Sequence, residues 1–486
     1  MNPTETLQLV SHRGWLFAGQ SSKGSRPYPT VLGSPPPEWS GAQILIKTSS
    51  VAPWMVDHTI GLSPYPFHLR VEVLKELRIA TDGNGNPVNL PHGILASGLS
   101  DIGETGAKQA SVRMRDDNTG LWKQSHVTTA NEEAFPVSFV SRQEAGVTRV
   151  YTGLSNGQIH RGAYSSNERN LIWDTNAQFG GIGPVLGLAE ANSVLYAAGG
   201  LVQVASNSPV NGGIYMRNDT NKTWQLVYRW PYPTDLYGQS NEVRLMQSLT
   251  AVPEPHGEPY QVLLATRFWP GIIERIDPKK GHQVTTELDL HDFLAKQWND
   301  ERWRKASIRL ASQGFTSTTN PVTGERAHLT GLWAESPDPV IRPARGPTFL
   351  LRFLDGTYQL ASGAVPGQTN DLRATRCIAQ SPFLDDPGAL YLGGYDILED
   401  TNANTGWILR GAWLAWPKLF ITAPNLPEWQ LEWESTDTPW MLERNSSLDL
   451  LSPWQTVPGL STRSNTNQTQ SIPPQDPGSF YRLRKL

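Results

Sequence analysis

Residues 194–200 read VLYAAGG, and a short apolar stretch of this kind, rich in small residues, recurs six more times along the 486-residue chain. The other copies are GWLFAGQ at 14–20, ILASGLS at 94–100, RVYTGLS at 149–155, QVLLATR at 261–267, HLTGLWA at 328–334 and LYLGGYD at 390–396. A repeated β unit cannot bury its faces alone, so neighbouring copies must supply each other's core. The number of copies therefore decides the architecture.

Each copy lies between two further predicted strands. An apolar strand such as TLQLVSH, at 6–12, comes before it. The strand after it ends near a basic residue and is often followed by an aromatic one, as in SVRMR at 111–115 with Trp122. Three such strands, repeated seven times, predict an all-β chain with seven antiparallel blades around an axis, a seven-bladed β-propeller. Gly and Ala in the middle strand would let neighbouring sheets approach closely.

The composition and the hydrophobic pattern of the sequence change near its end. We expect the propeller to occupy residues 1–421, and a Pro-rich linker to follow at 423–429. Residues 422–486 contain short alternating strands separated by Pro, Ser and Asn turns, which predict a small β-sandwich-like module. The segments WQTVPG at 454–459 and FYRLR at 480–484 resemble the carboxy-terminal modules of secreted or cell-surface bacterial proteins. That resemblance implies an extracytoplasmic location.

Two further resemblances concern the propeller itself. RDDNTGLW at 115–122 and RNDTNKTW at 217–224 resemble the Asp-box hairpin of sialidase-type propellers. The segments GAQ at 41–43 and PWMVDH at 53–58 are similar to segments in uncharacterised bacterial propeller proteins, and this similarity implies no particular function.

Composition excludes several classes of function. The net charge is −4 and the isoelectric point is about 6.2, so a general affinity for nucleic acid is not expected. No run of about 18 apolar residues occurs, so no membrane span is predicted. Cys377 is the single cysteine, which excludes internal disulfides. The first residues, MNPTETLQL, contain no apolar signal segment, so we expect a secretion signal to be absent from this chain.

Motifs for cofactors and metals are also missing from the sequence. There is no P-loop, dinucleotide fingerprint or nucleophile elbow, so no cofactor is expected. Asp82, Asn84 and Asn86 are spaced like the start of a calcium loop, which leaves a structural calcium ion as one option. The twelfth position is Gly93 rather than Glu, so a hairpin turn explains the segment better. No zinc motif is present, and no metal site is predicted.

Arginines recur on the predicted inner strands, which line the central channel of a propeller. Arg70 and Glu72 lie in the second unit, and Arg244, Arg309 and Arg376 take matched positions in units five to seven. Guanidinium groups that converge on one axis repel each other unless carboxylates or a bound anion neutralise them. These residues are therefore either structural salt-bridge partners or the binding groups for an acidic ligand.

Histidines supply candidate bases, of which we single out His58, His92 and His328. A histidine beside an arginine-bound carboxylate suits removal of a proton α to that carboxylate. In residue type this arrangement is similar to that of the propeller polysaccharide lyases, and the similarity implies β-elimination on a uronic acid. Trp333, outside the repeat positions, is a candidate for stacking on a sugar ring.

The sequence thus leaves three functions open. The first is an extracytoplasmic, carbohydrate-active propeller that binds an acidic, uronate-containing polysaccharide or oligosaccharide and cleaves it by β-elimination. The second is a glycoside hydrolase, which needs two facing carboxylates, with Glu72, Glu242 and Asp396 as candidates. The third is a non-catalytic module that binds glycan or protein. The sequence does not specify an oligomeric state.

Overall fold

Antiparallel strand pairing organises the first of two units into which the chain divides, Met1–Trp413 and Leu414–Leu486. The sequence interpretation placed this boundary at Ile421. A computed structural model of the chain describes residues 5–21, 42–60, 68–89, 92–100, 110–128, 134–180, 183–199, 212–229, 246–267, 271–319, 324–335, 347–362, 374–395, 406–412, 420–422, 429–434, 440–445, 455–457, 462–463, 467–472 and 480–485.

The strands of the first unit form seven successive blades. Blade 1 contains β1 (Glu5–His12), β2 (Trp15–Ser21), β3 (Gln43–Lys47) and β4 (Met55–Thr59), and blade 2 contains β5 (His68–Arg78), β6 (His92–Ser100), β7 (Ser111–Asp116) and β8 (Leu121–His126). Blade 3 contains β9 (Pro136–Glu144), β10 (Val147–Leu154), β11 (Ile159–Ser165) and β12 (Asn170–Trp173), and blade 4 contains β13 (Gly187–Ala191), β14 (Val194–Gly199), β15 (Gly213–Asn218) and β16 (Thr223–Arg229).

The remaining blades follow the same order. Blade 5 contains β17 (Met246–Pro253), β18 (Gln261–Arg267), β19 (Ile272–Asp277) and β20 (Gln283–Asp289). In blade 6 the inner strand is interrupted, giving β21 (Ser307–Leu310) and β22 (Thr316–Thr319), which both pair with β23 (Arg326–Glu335), followed by β24 (Thr348–Phe353) and β25 (Tyr358–Ser362). The described strands of blade 7 are β26 (Ala374–Gln380), β27 (Ala389–Tyr395) and β28 (Gly406–Ala412).

The seven-bladed propeller predicted from the repeat is confirmed, and the small-residue stretches form the second strand of every blade. Their glycines face the next blade at very short range. A methyl group added to Gly331 in blade 6 would lie 2.4 Å from the carbonyl oxygen of Thr375 in blade 7. At Gly19 it would lie 2.8 Å from the side chain of Val71, which joins blade 1 to blade 2. Small residues recur there because the neighbouring inner strand leaves no room for a side chain.

Contacts between blades 7 and 1 close the ring. A methyl group at Gly393 would lie 2.7 Å from both Cys377 and Thr6, and the Ser11 hydroxyl donates a hydrogen bond of 2.6 Å to the carbonyl of Gln380. The Cys377 side chain is fully buried at this junction. Residues from the two ends of the first unit therefore share one interface, as circular closure requires.

One helix interrupts the strand pattern between blades 5 and 6. It is α1 (Leu290–Gln297), and it follows a cap in which the Asp289 carboxylate accepts hydrogen bonds from the backbone N–H groups of His291 and Asp292. Short 3-10 helices occupy Pro278–Lys280 and Glu301–Lys305. The helix buries Leu290 and Leu294 in a cluster with Trp303, so it covers part of a blade as its apolar spacing predicts. None of these helices has the length and apolar character that a bilayer span requires, and the same holds for the rest of the described ranges.

The second unit contains two small antiparallel sheets. Their strands are β29 (Phe420–Thr422), β30 (Trp429–Glu434), β31 (Trp440–Asn445), β32 (Gln455–Thr456), β33 (Thr462–Arg463), β34 (Asn467–Ile472) and β35 (Phe480–Lys485). One sheet has the order β29, β30, β34, β33 and the other has the order β32, β31, β35. The β-rich character of this unit agrees with the sequence, and a sandwich arrangement of the two sheets stays a prediction.

Candidate functional site

The inner strands of all seven blades surround a central cavity of about 620 Å³. Its lining combines apolar side chains, polar side chains and inner-strand backbone. The ionisable groups among the described lining residues are Glu72, Lys75, Glu76 and Glu190, and the amides are Gln8, Gln313 and Gln380. Hydroxyls of Ser and Thr complete the polar surface. The cavity therefore presents many hydrogen-bond donors and acceptors to whatever enters it.

The polar lining has a structural cause. The innermost strand of each blade pairs on one side only, so its other edge exposes backbone carbonyls that need donors. The Gln8 amide donates to the Glu72 carbonyl at 2.9 Å, and the Gln313 amide donates to the Leu9 carbonyl at 2.8 Å. Neutral side chains thus tie the inner edges of different blades together.

Two of the cavity carboxylates are bound by cations from a neighbouring blade. Glu76 accepts a hydrogen bond of 2.8 Å from His12, and Glu190 lies 3.9 Å from Arg142. Burial of Glu190 raises the pKa of its carboxyl, and the charge of Arg142 only partly opposes this shift. Glu190 therefore holds a proton more readily than an ordinary glutamate.

Lys75 differs from the other lining residues because it carries a positive charge. Its ammonium group donates to the Phe139 carbonyl at 2.8 Å, from blade 2 to blade 3. Desolvation by the surrounding strands lowers the pKa of Lys75 to about 8, although the side chain remains exposed to the cavity. No carboxylate of the described residues lies within ion-pair distance of this amine. The sequence analysis did not select Lys75. Its position between Glu72 and Glu76 on a predicted inner strand is the feature that could have indicated it.

Arg309 and Arg376 lie close enough to interact electrostatically, and neither is among the described residues that line the cavity. Arg376 forms an ion pair of 2.9 Å with Glu5 of blade 1. Its neutralising partner is therefore Glu5, whereas the carboxylates expected from the sequence to neutralise these arginines were Glu72, Glu190 and Glu242. A bulge in β26 between Thr375 and Cys377 falls at Arg376, and bulges redirect side chains.

Trp333 is a direct contact of Arg309. The guanidinium of Arg309 lies 4.4 Å from the centre of the Trp333 ring, a cation–π contact between paired residues of β21 and β23. Burial lowers the pKa of Arg309, and the charge of Arg376 acts in the same direction. Because only 7% of Trp333 is exposed, the ring offers little open face for stacking on a sugar. We name Glu5, Arg309, Trp333 and Arg376 the arginine cluster.

The other predicted binding residues have different outcomes. Glu72 lines the cavity at a bulge in β5 between Val71 and Val73, which agrees with its expected inner position. The backbone of Arg70 belongs to β5 and pairs with Ser21, and its side chain lies outside the described part. Arg244 lies outside the described residues, as do Glu242 and Asp396.

The three candidate bases occupy separate surroundings, and none of them is among the described cavity-lining residues. His58 lies on the outer strand β4 and stacks on Trp122, with ring centres 5.8 Å apart. Burial, together with the charge of Arg113, lowers the pKa of His58. His92 begins β6 and lies 3.9 Å from Glu76, in a second cavity of about 360 Å³.

His328 is the candidate base with the closest link to the channel. Its ring is buried and shares a hydrogen bond of 3.1 Å with the hydroxyl of Ser317, a cavity-lining residue. Desolvation lowers the pKa of His328 to about 4, and the charge of Arg352 contributes. His328 lies five positions from Trp333 along β23, or about 16 Å at the usual rise per residue, so it is remote from the arginine cluster.

The described residues do not fit a calcium site at Asp82. The two oxygens of its carboxylate accept hydrogen bonds from the backbone N–H groups of Asn84 and Asn86 and from the hydroxyl of Ser166. This is the bonding of a polar turn, and it uses the lone pairs that a cation would need. In the described part of the chain, no group of three or more His, Cys, Asp or Glu side chains is arranged to hold a metal ion.

The strand pairing and the central cavity define the class of this protein as a seven-bladed β-propeller with an axial cavity. No protein-family model and no curated protein matches the chain.

Several solved structures share a general likeness with the chain. YCF48 bound to a D1 peptide matches with 12% identity, a TM-score of 0.41 and coverage of 85% of this chain and 93% of that one. Sqt1 of Saccharomyces cerevisiae matches with 11% identity, a TM-score of 0.39 and coverage of 89% and 93%. An α-L-arabinanase of Penicillium chrysogenum complexed with arabinobiose matches with 11% identity, a TM-score of 0.37 and coverage of 84% and 93%. At these values the likeness carries no argument about chemistry, and the propeller assignment rests on the strand pairing itself.

Proposed function

We propose that this protein is a carbohydrate-active propeller whose central cavity binds a saccharide. The observation that carries the proposal is the lining: amides, hydroxyls, three carboxylates and one amine converge on a single cavity from seven strands. A sugar presents several hydroxyl groups, each of which is both donor and acceptor, so its binding needs a dense set of polar partners. The cavity volume of about 620 Å³ falls within the usual range for small-molecule sites.

Binding can be tested by blocking the cavity. Ser312 lines it with an exposed side chain, so Ser312→Trp should fill part of the space without disturbing a buried core. Thr48→Trp, at an exposed position beyond β3, is the matched control. Wild type and both variants would be compared by affinity electrophoresis in gels containing neutral or uronate-bearing polysaccharides. Retardation of wild type and Thr48→Trp, with loss for Ser312→Trp, is expected; equal mobility in every gel would contradict the proposal.

Cleavage by β-elimination is the finer form of the proposal and concerns a uronate-containing polysaccharide. It needs a base next to the carbon that loses its proton and a cation on the adjacent carboxylate. Arg309 and Arg376 are the described arginines from the predicted set, and the three candidate histidines lie elsewhere. The geometry therefore supports binding better than elimination. Ultraviolet absorbance of the unsaturated product, followed during incubation with uronate polysaccharides, tests elimination directly.

Hydrolysis is the second candidate, because one carboxyl in the cavity has the property that a general acid needs. Glu190 lines the cavity and its pKa is raised by burial, and Glu72 lines the same space as a possible carboxylate partner. If the protein hydrolyses a glycan, Glu190→Gln should reduce the release of reducing ends by about 10²–10⁴-fold. Glu168→Gln, at an exposed turn, should leave the rate unchanged. Equal rates for the two variants would remove Glu190 from the mechanism.

An extracytoplasmic location belongs to the same proposal. Its support is the resemblance of the last residues to the terminal modules of secreted bacterial proteins. Fractionation of the producing cells, with detection of the full chain outside the cytoplasmic membrane, is the direct test.

A further inference from the structure

Lys75 stands apart from the other residues that tie the inner strands together. Comparable ties between blades use neutral groups: the amides of Gln8 and Gln313, and the hydroxyls of Ser11 and Ser138. Each donates to a backbone carbonyl, as the Lys75 ammonium does to Phe139. A neutral donor therefore satisfies an inner-edge carbonyl. The hydrogen bond to Phe139 accounts for a hydrogen-bond donor at position 75. It does not account for the positive charge of that donor.

The nearby carboxylates do not account for this charge. Glu76 accepts a hydrogen bond from His12 of blade 1, whereas Lys75 reaches blade 3. Glu190 has Arg142 as its cation. None of the described ion pairs in the propeller includes Lys75, and desolvation alone lowers its pKa to about 8. Desolvation disfavours the charged form of this amine, and a bound anion would favour it.

Accessibility completes the argument. Lys75 is the one lysine or arginine among the described residues that line the central cavity, and its side chain is exposed there. An ion entering the cavity can thus reach the ammonium group without any displacement of the blades.

We propose that Lys75 binds an anionic group inside the central cavity and that, in the saccharide ligand, this group is a carboxylate. The inference rests on the proposed saccharide function and narrows its ligand to an acidic sugar. It assigns the recognition of charge to Lys75 rather than to the arginine cluster. The remaining charged groups that face the cavity, Glu72, Glu76 and Glu190, would exclude a ligand with closely spaced negative charges beyond the one that Lys75 neutralises.

The decisive variant is Lys75→Gln, because glutamine keeps a donor of the kind found at Gln8 and Gln313 and removes the charge. Lys296→Gln, on the exposed face of α1, is the control. Calorimetric titration would compare a trisaccharide that carries a single galacturonic acid residue with the same trisaccharide after reduction of its carboxyl group. Wild type and Lys296→Gln should bind the acidic trisaccharide about tenfold or more tightly than the neutral one, and Lys75→Gln should bind both about equally.

A second measurement separates recognition from a purely structural role. The rate at which an amine-acylating reagent modifies Lys75, followed by peptide mass spectrometry against pH, should give a midpoint near 8 without ligand. The acidic trisaccharide should move that midpoint to higher pH, whereas the neutral one should not. An unchanged preference in Lys75→Gln, or no preference in wild type despite binding, would overturn the Lys75 inference alone. Failure of wild type to bind either trisaccharide would overturn the inference together with its saccharide premise.

Discussion

Arg352 of blade 6 forms an ion pair of 2.6 Å with Glu287 of blade 5, and the same relationship joins Arg115 of blade 2 to Asp57 of blade 1 at 3.0 Å. In both pairs the arginine lies on the third strand and the carboxylate on the fourth strand of the preceding blade. An aromatic residue of the arginine's own blade also donates to the carboxylate: Tyr358 to Glu287 and Trp122 to Asp57. In these two blades the basic and aromatic residues of the repeat are thus inter-blade ties.

We predict that Arg352→Met destabilises the propeller by about 3–5 kcal/mol, because Glu287 would stay buried without its main cation. Arg352 is fully buried and Glu287 has a 5% exposed side chain. The control is Arg302→Met, which removes an exposed pair with Asp300 and should cost less than about 1 kcal/mol. Denaturant unfolding measures the loss of stability in both variants. Comparable losses would show that the buried Arg352–Glu287 pair contributes no more to stability than the exposed Arg302–Asp300 pair.

We predict that the contribution of His12 to the stability of the protein falls as pH rises. Burial alone would lower the pKa of His12, but hydrogen bonds from its ring to Asp117 and Glu76, each 2.8 Å, raise it above 6.5. The contribution of the charged ring is complete below pH 6.5 and is lost as pH rises through the higher folded-state pKa. The stability advantage of wild type over His12→Gln should therefore shrink across this range. His256→Gln, at an exposed loop position, should follow wild type, whereas an advantage that is constant with pH would refute the assignment.

His328 should have the opposite effect at acid pH. Its pKa is lowered from 6.5 to about 4, so the folded protein resists protonation that the unfolded chain accepts. Stability tied to His328 is complete above pH 6.5 and is lost as pH falls to 4, by about 3 kcal/mol in all. The variant His328→Gln should lose less stability over that interval. Thermal midpoints of both proteins at several pH values between 4 and 7 provide the comparison, and parallel curves would count against this role.

Gly331 should tolerate no side chain. Its alanine variant would place Cβ 2.4 Å from the Thr375 carbonyl oxygen, so blade 7 must shift, and we expect a loss of about 1–3 kcal/mol. Gly411→Ala in blade 7 is the control, because its Cβ would meet ordinary contacts at 3.5 Å and beyond. Unfolding midpoints of the two variants should differ clearly. An unaffected Gly331→Ala would mean that the blades are packed less closely than described.

The sequence predicted which segments are equivalent better than it predicted which residues their side chains contact. The duplicated RDDNTGLW and RNDTNKTW segments do take equivalent positions, since Asp117 meets His12 and Asp219 meets Arg142, each from the inner strand of the preceding blade. Arg309 and Arg376 are not among the described residues that line the cavity, and a bulge and a partner in blade 1 direct Arg376 to Glu5. Spacing along one strand does not reveal a partner that is more than 350 residues away in the sequence.

The sequence by itself determined the number of blades, the order of the first three strands in each blade and the close approach of the second strands, because local periodicity and small residues impose these features. It did not predict the fourth, outermost strand that the structure describes in blades 1 to 6. Only the tertiary structure decided which charged groups neutralise one another and which face the cavity. Those outcomes depend on ring closure, which brings Glu5 to Arg376, and on the inner edges, where Lys75 reaches Phe139 while Glu76 turns to His12. Electrostatic partners are fixed by distance and burial in space, and a linear pattern contains neither.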